Sequence, residues 1–201
     1  FTIVGTDKSL TIEEVAGLAN STDNLPEGMK TGLFETGVYE ASAPTFPNGC
    51  HVCELEIDQE TGQIELLRYT IVDDVGRVIN PLTLKGQIHG GVVQGLGQVF
   101  LEDLIYDPND GQMLTGSFMD YAMPRASDFC LFDVISNEVL TTTNPVGAKG
   151  GGECGTVGSV AAAMNAILDA LSVLNIKHLD LPATPQKIWE AINDSDQLQN
   201  F

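Results

Sequence analysis

The sequence predicts an α+β fold on three observations. Two neighbouring segments of strand character are joined by a turn, two long apolar segments carry helical spacing, and no strict strand–helix–strand alternation runs through the 201 residues. The expected architecture is β-hairpins and mixed strands packed with a glycine-interrupted helix and a buried apolar C-terminal helix. A hydrophobic share of 43% and a mean hydropathy of +0.05 supply a sizeable core and exclude a disordered chain.

Thr11 followed by Glu13 and Glu14 has the form of a capped helix start, which predicts a short helix to about residue 19. Pro26, Pro44 and Pro47 break any longer period. Residues 1–48 are thus expected as a connector with a short helix and room for one strand, and residues 49–201 as the main body.

His51 to Asp58 alternates with period two, which sends Cys53, Leu55 and Ile57 to a core and Glu54, Glu56 and Asp58 to water. Ile64 to Val72 is the second strand of a hairpin, with the turn at Gln59-Glu60-Thr61-Gly62. From Leu82 to Leu104 a helix is predicted, with Leu84, Ile88, Val92, Leu96 and Val99 or Phe100 on one face. Five glycines interrupt it, at 86, 90, 91, 95 and 97. Each costs ~0.5–1 kcal/mol relative to alanine in a helix interior, so the close approach of a second backbone or of a bulky ligand is the expected reason for them.

Asp107 to Gly111 reads as a turn, Gln112–Ser117 and Leu131–Leu140 as strands, about Gly158 to Leu174 as an apolar helix, and Pro185 through Trp189 to Ile192 as a terminal helix. The apolar helix holds Asn165 and Asp169, and an Asp near a helix centre costs ~2.5–3.5 kcal/mol in a bilayer. It is therefore read as a core helix, and no membrane partner is expected.

Nine basic and 28 acidic residues give a net charge of −19, a field that repels phosphate backbones and anionic headgroups. Nucleic acid is excluded as a partner on the same ground. Four cysteines without a repeated pair pattern fit a reducing cytoplasm. The first methionine is Met29 and no signal-peptide pattern opens the chain, so it is expected to be a piece of a longer cytoplasmic protein.

The segment most informative about chemistry is Asn144-Pro145-Val146-Gly147-Ala148-Lys149-Gly150-Gly151-Gly152-Glu153-Cys154-Gly155-Thr156, in which five of the nine residues from Gly147 to Gly155 are glycine. It leads into a helix, where backbone amides and the helix dipole favour anions. It is not a phosphate loop, because Lys149 is followed by glycine rather than Ser or Thr. Gly150, Gly152 and Gly155 satisfy GxGxxG, but Pro145 stands where a lead-in strand should end and Glu153 would face the pyrophosphate. Two readings of Glu153 stand side by side: a desolvated, fixed general base, or a helix N-terminal glutamate favoured by the dipole.

Gly86-Gln87-Ile88-His89-Gly90-Gly91-Val92-Val93-Gln94-Gly95-Leu96-Gly97-Gln98, then Asp120-Tyr121-Ala122-Met123-Pro124-Arg125-Ala126, then Lys149 to Thr156 occur in an order and spacing that resemble the molybdenum hydroxylases. The chain resembles the C-terminal part of the molybdopterin-binding large subunit of the xanthine oxidase family, on the branch of the aerobic carbon monoxide dehydrogenases and bacterial aldehyde and N-heterocycle dehydrogenases. Asp73-Asp74-Val75-Gly76-Arg77-Val78-Ile79-Asn80-Pro81 and Pro182-Ala183-Thr184-Pro185 point to the same branch.

That resemblance implies a molybdopterin cofactor in a dinucleotide form, with Glu153 as the catalytic base and Gln87 as a cofactor-binding amide. It implies oxidation of a small-molecule substrate (an aldehyde, an N-heterocycle or CO) with water as the oxygen source. Electrons would pass to iron–sulfur clusters and FAD on partner subunits or domains, and the remainder of the large subunit would complete the site. The glycines around Gln87 would let the cofactor lie against the backbone. The chain departs from the family pattern at Gly151, where valine is usual, and at Cys154, where alanine or proline is usual. No metal ligand is expected. A non-catalytic acidic interaction domain keeping the fold is the rival reading, and self-association of the isolated chain is a further expectation.

Other motifs have structural readings. Cys50-His51-Val52-Cys53 lacks a second pair for zinc, and Asp73-Asp74 is expected in a turn with Arg77 pairing one of them. Asp107 to Gly111 has its glycine misplaced for a calcium loop. His178 and Trp189 are expected to be structural.

Overall fold

The structure, a computed structural model, describes residues 1–199, which form two compact units, residues 1–40 and the described residues from 41 onward. In the first unit, helix α1 (Ile12–Ala19) opens on a capping box: Thr11 Oγ1 accepts from the Glu14 amide at 3.2 Å, and Glu14 Oε2 accepts from the Thr11 amide at 2.7 Å. No strand forms between residues 20 and 47, so the strand for which the connector had room is absent there.

The second unit is built on a three-stranded sheet. Strands β1 (Asn48–Ile57) and β2 (Ile64–Asp74) form the antiparallel hairpin, and β3 (Phe132–Ser136) lies parallel to β2. The turn uses Gly62 at φ +71°, where a Cβ would also collide with the Pro185 carbonyl oxygen. Cys53, Leu55 and Ile57 pack toward the core while Glu54 and Glu56 stay exposed, as period two requires.

On β2 the alternation breaks. Glu54 pairs with Arg68 but Leu55 pairs with Leu66, so Leu67 is an extra residue. This β-bulge puts Leu66 and Tyr69, three apart, on the core side and leaves Leu67 exposed.

Helix α2 (Pro81–Phe100) starts where Asn80 Oδ1 accepts from the Thr83 amide at 3.1 Å and Pro81 takes the first turn. Helix α3 (Cys154–Leu171) runs into a 3-10 turn at Ser172–Leu174, and helix α4 spans Pro185–Gln199. The stretch Cys154–Leu174 is long and apolar enough to cross a membrane. Its buried stripe, Gly155, Ser159, Ala163, Ile167 and Leu171, recurs every four residues, and Asn165 and Asp169 lie on the exposed side. The stripe joins a core shared with Tyr69 and Ile71 of the sheet, Ile88, Val92 and Leu96 of α2, and Ile188 of α4.

Five of the helix glycines fall into two sets, while Gly97 stands apart, where a Cβ would strike Glu102 Oε1 and Pro124. A Cβ at Gly95 would strike Ser159 Oγ, one at Gly155 would lie 3.0 Å from the Val92 amide nitrogen and against the Ile88 carbonyl, and one at Gly91 would lie 3.0 Å from the Thr156 amide nitrogen. These three let α2 and α3 meet backbone to backbone. Of the two expected reasons, the close approach of a second backbone is the one that accounts for them. Gly86 and Gly90 differ: a Cβ there would meet nothing within 4 Å.

Several element boundaries differ from expectation. Gln112–Ser117 is not a strand; Met113 makes one isolated bridge to Tyr106. The third strand is confined to 132–136, because only Tyr69 to Asp73 of β2 faces it. α2 ends at Phe100, where the Leu101 and Glu102 amides both turn back to the Gly97 carbonyl. α3 begins four residues earlier than predicted, within the glycine-rich segment itself.

Candidate active site

The loop that carries Glu153 is pinned from below. Asp74, at the end of β2, accepts from Lys149 Nζ at 2.6 Å, the Gly76 amide at 2.8 Å and the Val139 amide at 3.0 Å. The Lys149 amide in turn donates to the Val75 carbonyl at 2.7 Å, and Gly76 at φ +62° bridges to Ala148. The Lys149 hydrogen bond, aided by those two amides, holds the Asp74 carboxyl down at about 2. Sequence reasoning assigned such a pairing to Arg77. Arg77 is exposed, and the cation that reaches Asp74 comes from 75 residues downstream.

Above that anchor the chain enters α3. Glu153 is its N-cap residue, at φ −115° and ψ −6°, and its side chain makes no capping hydrogen bond; its carbonyl accepts from the Val157 amide at 3.0 Å. Gln87 Nε2 donates to the Gly152 carbonyl at 2.7 Å, so the two predicted site residues, far apart in sequence, meet across one peptide unit. Thr156 Oγ1 donates to the Gly91 carbonyl at 3.0 Å and ties the first turn of α3 to α2. Both Gln87 and Glu153 are exposed. The desolvated carboxylate expected at 153 is not found in this chain, because glycines around it leave nothing to cover it.

On the other side of Glu153 lies a cavity of about 540 Å³, with Phe46, His51, Asp73, Glu153 and Cys154 among its walls. A larger recess, about 700 Å³, lies near Ile64, Phe100 and Pro185 and contains none of the candidate residues, so the smaller one is the chemically relevant cavity. His51 Nδ1 is 2.9 Å from the Tyr69 hydroxyl and Nε2 is 3.5 Å from Asp73 Oδ1. Burial pushes the Tyr69 phenol up. The Cys154 thiol is pushed up to about 11, first by burial and then by the Asp73 charge.

His51, Asp73 and Lys149 were not singled out as a group by sequence reasoning. The signal for the first two was present: once the hairpin is registered, Gly49 faces Asp73 and His51 faces Ile71, which places His51, Tyr69 and Asp73 on one face of the sheet. The remaining candidates stay outside the site. Cys53 packs on the core side of β1 with its thiol pushed up to about 12 by burial, and His178 is exposed beside Asp180 at 3.0 Å rather than part of the core. Among the described residues no group of three or more His, Cys, Asp or Glu could hold a metal ion.

The site thus combines a mixed three-stranded sheet, two helices in backbone contact, and a glutamate presented at a glycine-rich helix start. The chain belongs to the molybdopterin cofactor-binding domain family, which matches residues 1–130, and so to the molybdenum hydroxylases. It is 37% identical over 191 residues to the gamma subunit of the 6-hydroxypseudooxynicotine dehydrogenase complex of Paenarthrobacter nicotinovorans, covering 94% of this chain and 24% of that subunit. It is 39% identical to the nicotine 6-hydroxylase large subunit of the same organism, over 87% of this chain and 21% of that one. Reconstituted CO dehydrogenase from Oligotropha carboxidovorans superposes with a TM-score of 0.84 at 30% identity, over 94% of this chain and 23% of that one. The chain thus spans about a quarter of the length of the proteins it matches.

The surface beside Glu153 fits the family's cofactor. Gly86, Gly90 and Gly152 all present backbone to open space, so a broad, flat group meets no side chain there. Gln87 spends its amide nitrogen on Gly152, and its carboxamide oxygen is an acceptor on the same surface. The N-cap side chain of α3, Glu153, makes no capping hydrogen bond and is left free to face a bound group.

Proposed function

We propose that this chain forms one wall of the catalytic site in a molybdenum hydroxylase, with Glu153 as the base and Gln87 as a cofactor-binding residue. The observation that carries the reading is the meeting of Gln87 and Glu153 across the Gly152 peptide, at the edge of a strip free of side chains. As in the complete enzyme this reading implies, the chain is the C-terminal part of a cytoplasmic large subunit, and the remainder of that subunit closes the site. The substrate class is an N-heterocycle, an aldehyde or CO. The 6-hydroxypseudooxynicotine dehydrogenase and nicotine 6-hydroxylase relatives, more similar in sequence than the carbon monoxide dehydrogenase chain from Hydrogenophaga pseudoflava at 31%, favour the N-heterocycle.

The bound molybdenum cofactor supplies a two-electron acceptor, from which iron–sulfur clusters and FAD on partner subunits carry the electrons onward. As base, Glu153 would take the proton from the water-derived oxygen as that oxygen is joined to the substrate carbon, the two electrons of the oxidation leaving to the acceptor that the bound cofactor would supply. Gln87 fixes the Gly152 carbonyl and so the backbone from which that carboxylate projects. Lys149 and Asp74 hold the loop at its other end, which restricts the backbone that carries Glu153.

In the complete enzyme, Glu153→Gln should keep its molybdenum and its fold while turnover falls by ~10²–10⁴-fold, the usual worth of a general base. Turnover near wild type in a molybdenum-replete variant would overturn the assignment.

A further inference from the structure

Helix α3 is anchored on one side by α2, through backbone contact at Gly91 and Gly155 and the Thr156 hydroxyl. On its other side the first turn rests on two buried polar side chains that the proposed chemistry does not use. The His51 side chain is 5% exposed, and a Cβ on Gly158 would come within 2.6 Å of its ring, so the imidazole lies against the α3 backbone one turn after Glu153. Asp73 is 2% exposed, lies beside Cys154, the first residue of α3, and is given its room by Gly49 across the hairpin, where any Cβ would strike its carboxylate. Its Oδ2 is buried and makes no hydrogen bond among the described residues.

A buried carboxylate oxygen without a donor is rare. Here the carboxylate lies against the Cys154 thiol, at the start of a long helix whose N-cap residue provides no capping oxygen, and an anion at that place is favoured by the helix dipole. The Tyr69 hydroxyl on His51 Nδ1 leaves Nε2 to face Asp73, which fixes the ring between them.

We infer that Asp73, held by His51, is a positioning residue that supplies the negative charge at the N-terminus of α3 and so releases the Glu153 carboxylate from capping duty. This inference rests on the reading of Glu153 as the base. Without Asp73, the carboxylate nearest in the chain to the amides at the start of α3 is Glu153 itself, and folding back onto them would withdraw it from the cavity that both residues line.

The test uses the complete enzyme with Asp73→Asn and His51→Gln, each also combined with Glu153→Gln. Hydrogen–deuterium exchange of the segment 154–158 should rise ~10-fold in both single variants, with the hairpin 52–57 unchanged, since the effect is a local opening. Turnover should fall by ~10–100-fold with KM unchanged, the scale of a misplaced catalytic group. In the Glu153→Gln background the same changes should cost less than about twofold, because the group they position is already gone. Unchanged exchange at 154–158, an equal rise throughout the hairpin, or full additivity with Glu153→Gln would overturn the inference. If Glu153→Gln alone proves active, the base reading fails instead, and the exchange result still decides what Asp73 does to the helix start.

Discussion

At the scale of single residues, the loop owes its shape to charges that meet across long sequence distances. Asp74 is held at about 2 by Lys149 and two backbone amides, against an ordinary value of 3.8. Because the folded value is the lower one, the stability this carboxylate adds is complete above pH ~4 and is lost as pH falls toward ~2. Lys149→Met removes the largest cause of that depression. The variant should be less stable by about 2–3 kcal/mol near neutral pH, less than the ~3–5 kcal/mol of a fully buried broken pair because the Gly76 and Val139 amides remain on Asp74. Urea unfolding between pH 2 and 6 checks this: the two stability curves should converge as the pH falls, and parallel curves would contradict it. Gln87 offers a second residue-scale test. Gln87→Ala removes the hydrogen bond to Gly152 and should lower molybdenum content in the complete enzyme, at a cost of ~1–3 kcal/mol in cofactor retention if a buried pterin edge is left unpaired. Full metal content would count against its role.

At the scale of elements, the two sets of helix glycines make opposite predictions. Gly155→Ala places a methyl against the Ile88 carbonyl and the Val92 amide, both rigid backbone, so α2 and α3 must separate; overpacking of this kind costs ~1–3 kcal/mol. Gly90→Ala puts its methyl in open space and should stabilise the helix by ~0.5–1 kcal/mol. Thermal melts of the two variants should therefore move in opposite directions. In the complete enzyme Gly90→Ala should also reduce molybdenum content, since the added methyl stands on the strip where the cofactor is proposed to lie. The same elements show what the sequence could disclose. The hairpin and the core face of α2 were legible because period two and period 3.6 are local patterns. The bulge at Leu67 was not, because it depends on which residue of β1 each residue of β2 faces. Gln112–Ser117 has strand composition but no partner strand beyond one bridge, and composition does not create a partner. Gln87 and Glu153 could be marked as candidates from motifs. Their meeting, and the His51–Asp73 and Lys149–Asp74 pairs, are products of the folded register.

At the scale of the whole molecule, the isolated chain should hold neither molybdopterin nor hydroxylase activity, and it should associate with itself in a salt-dependent way. Gln87 and Glu153 are two of the groups that must surround a large anionic cofactor, and a net charge of −19 offers no general attraction for it. The second unit also leaves Leu82, Phe118, Met119 and Leu131 at least 80% exposed, apolar surface that gains by being covered. Apolar association and charge repulsion then oppose each other. At ~0.01 M salt the Debye length is ~30 Å and the −19 chains repel over most of their own diameter; at ~1 M it is ~3 Å and repulsion no longer reaches across a contact. Sedimentation should show a monomer at low salt and larger species as salt rises, the reverse of an assembly held by ion pairs. Stoichiometric molybdenum in the purified chain would contradict the first half of the prediction, and dissociation on adding salt would contradict the second.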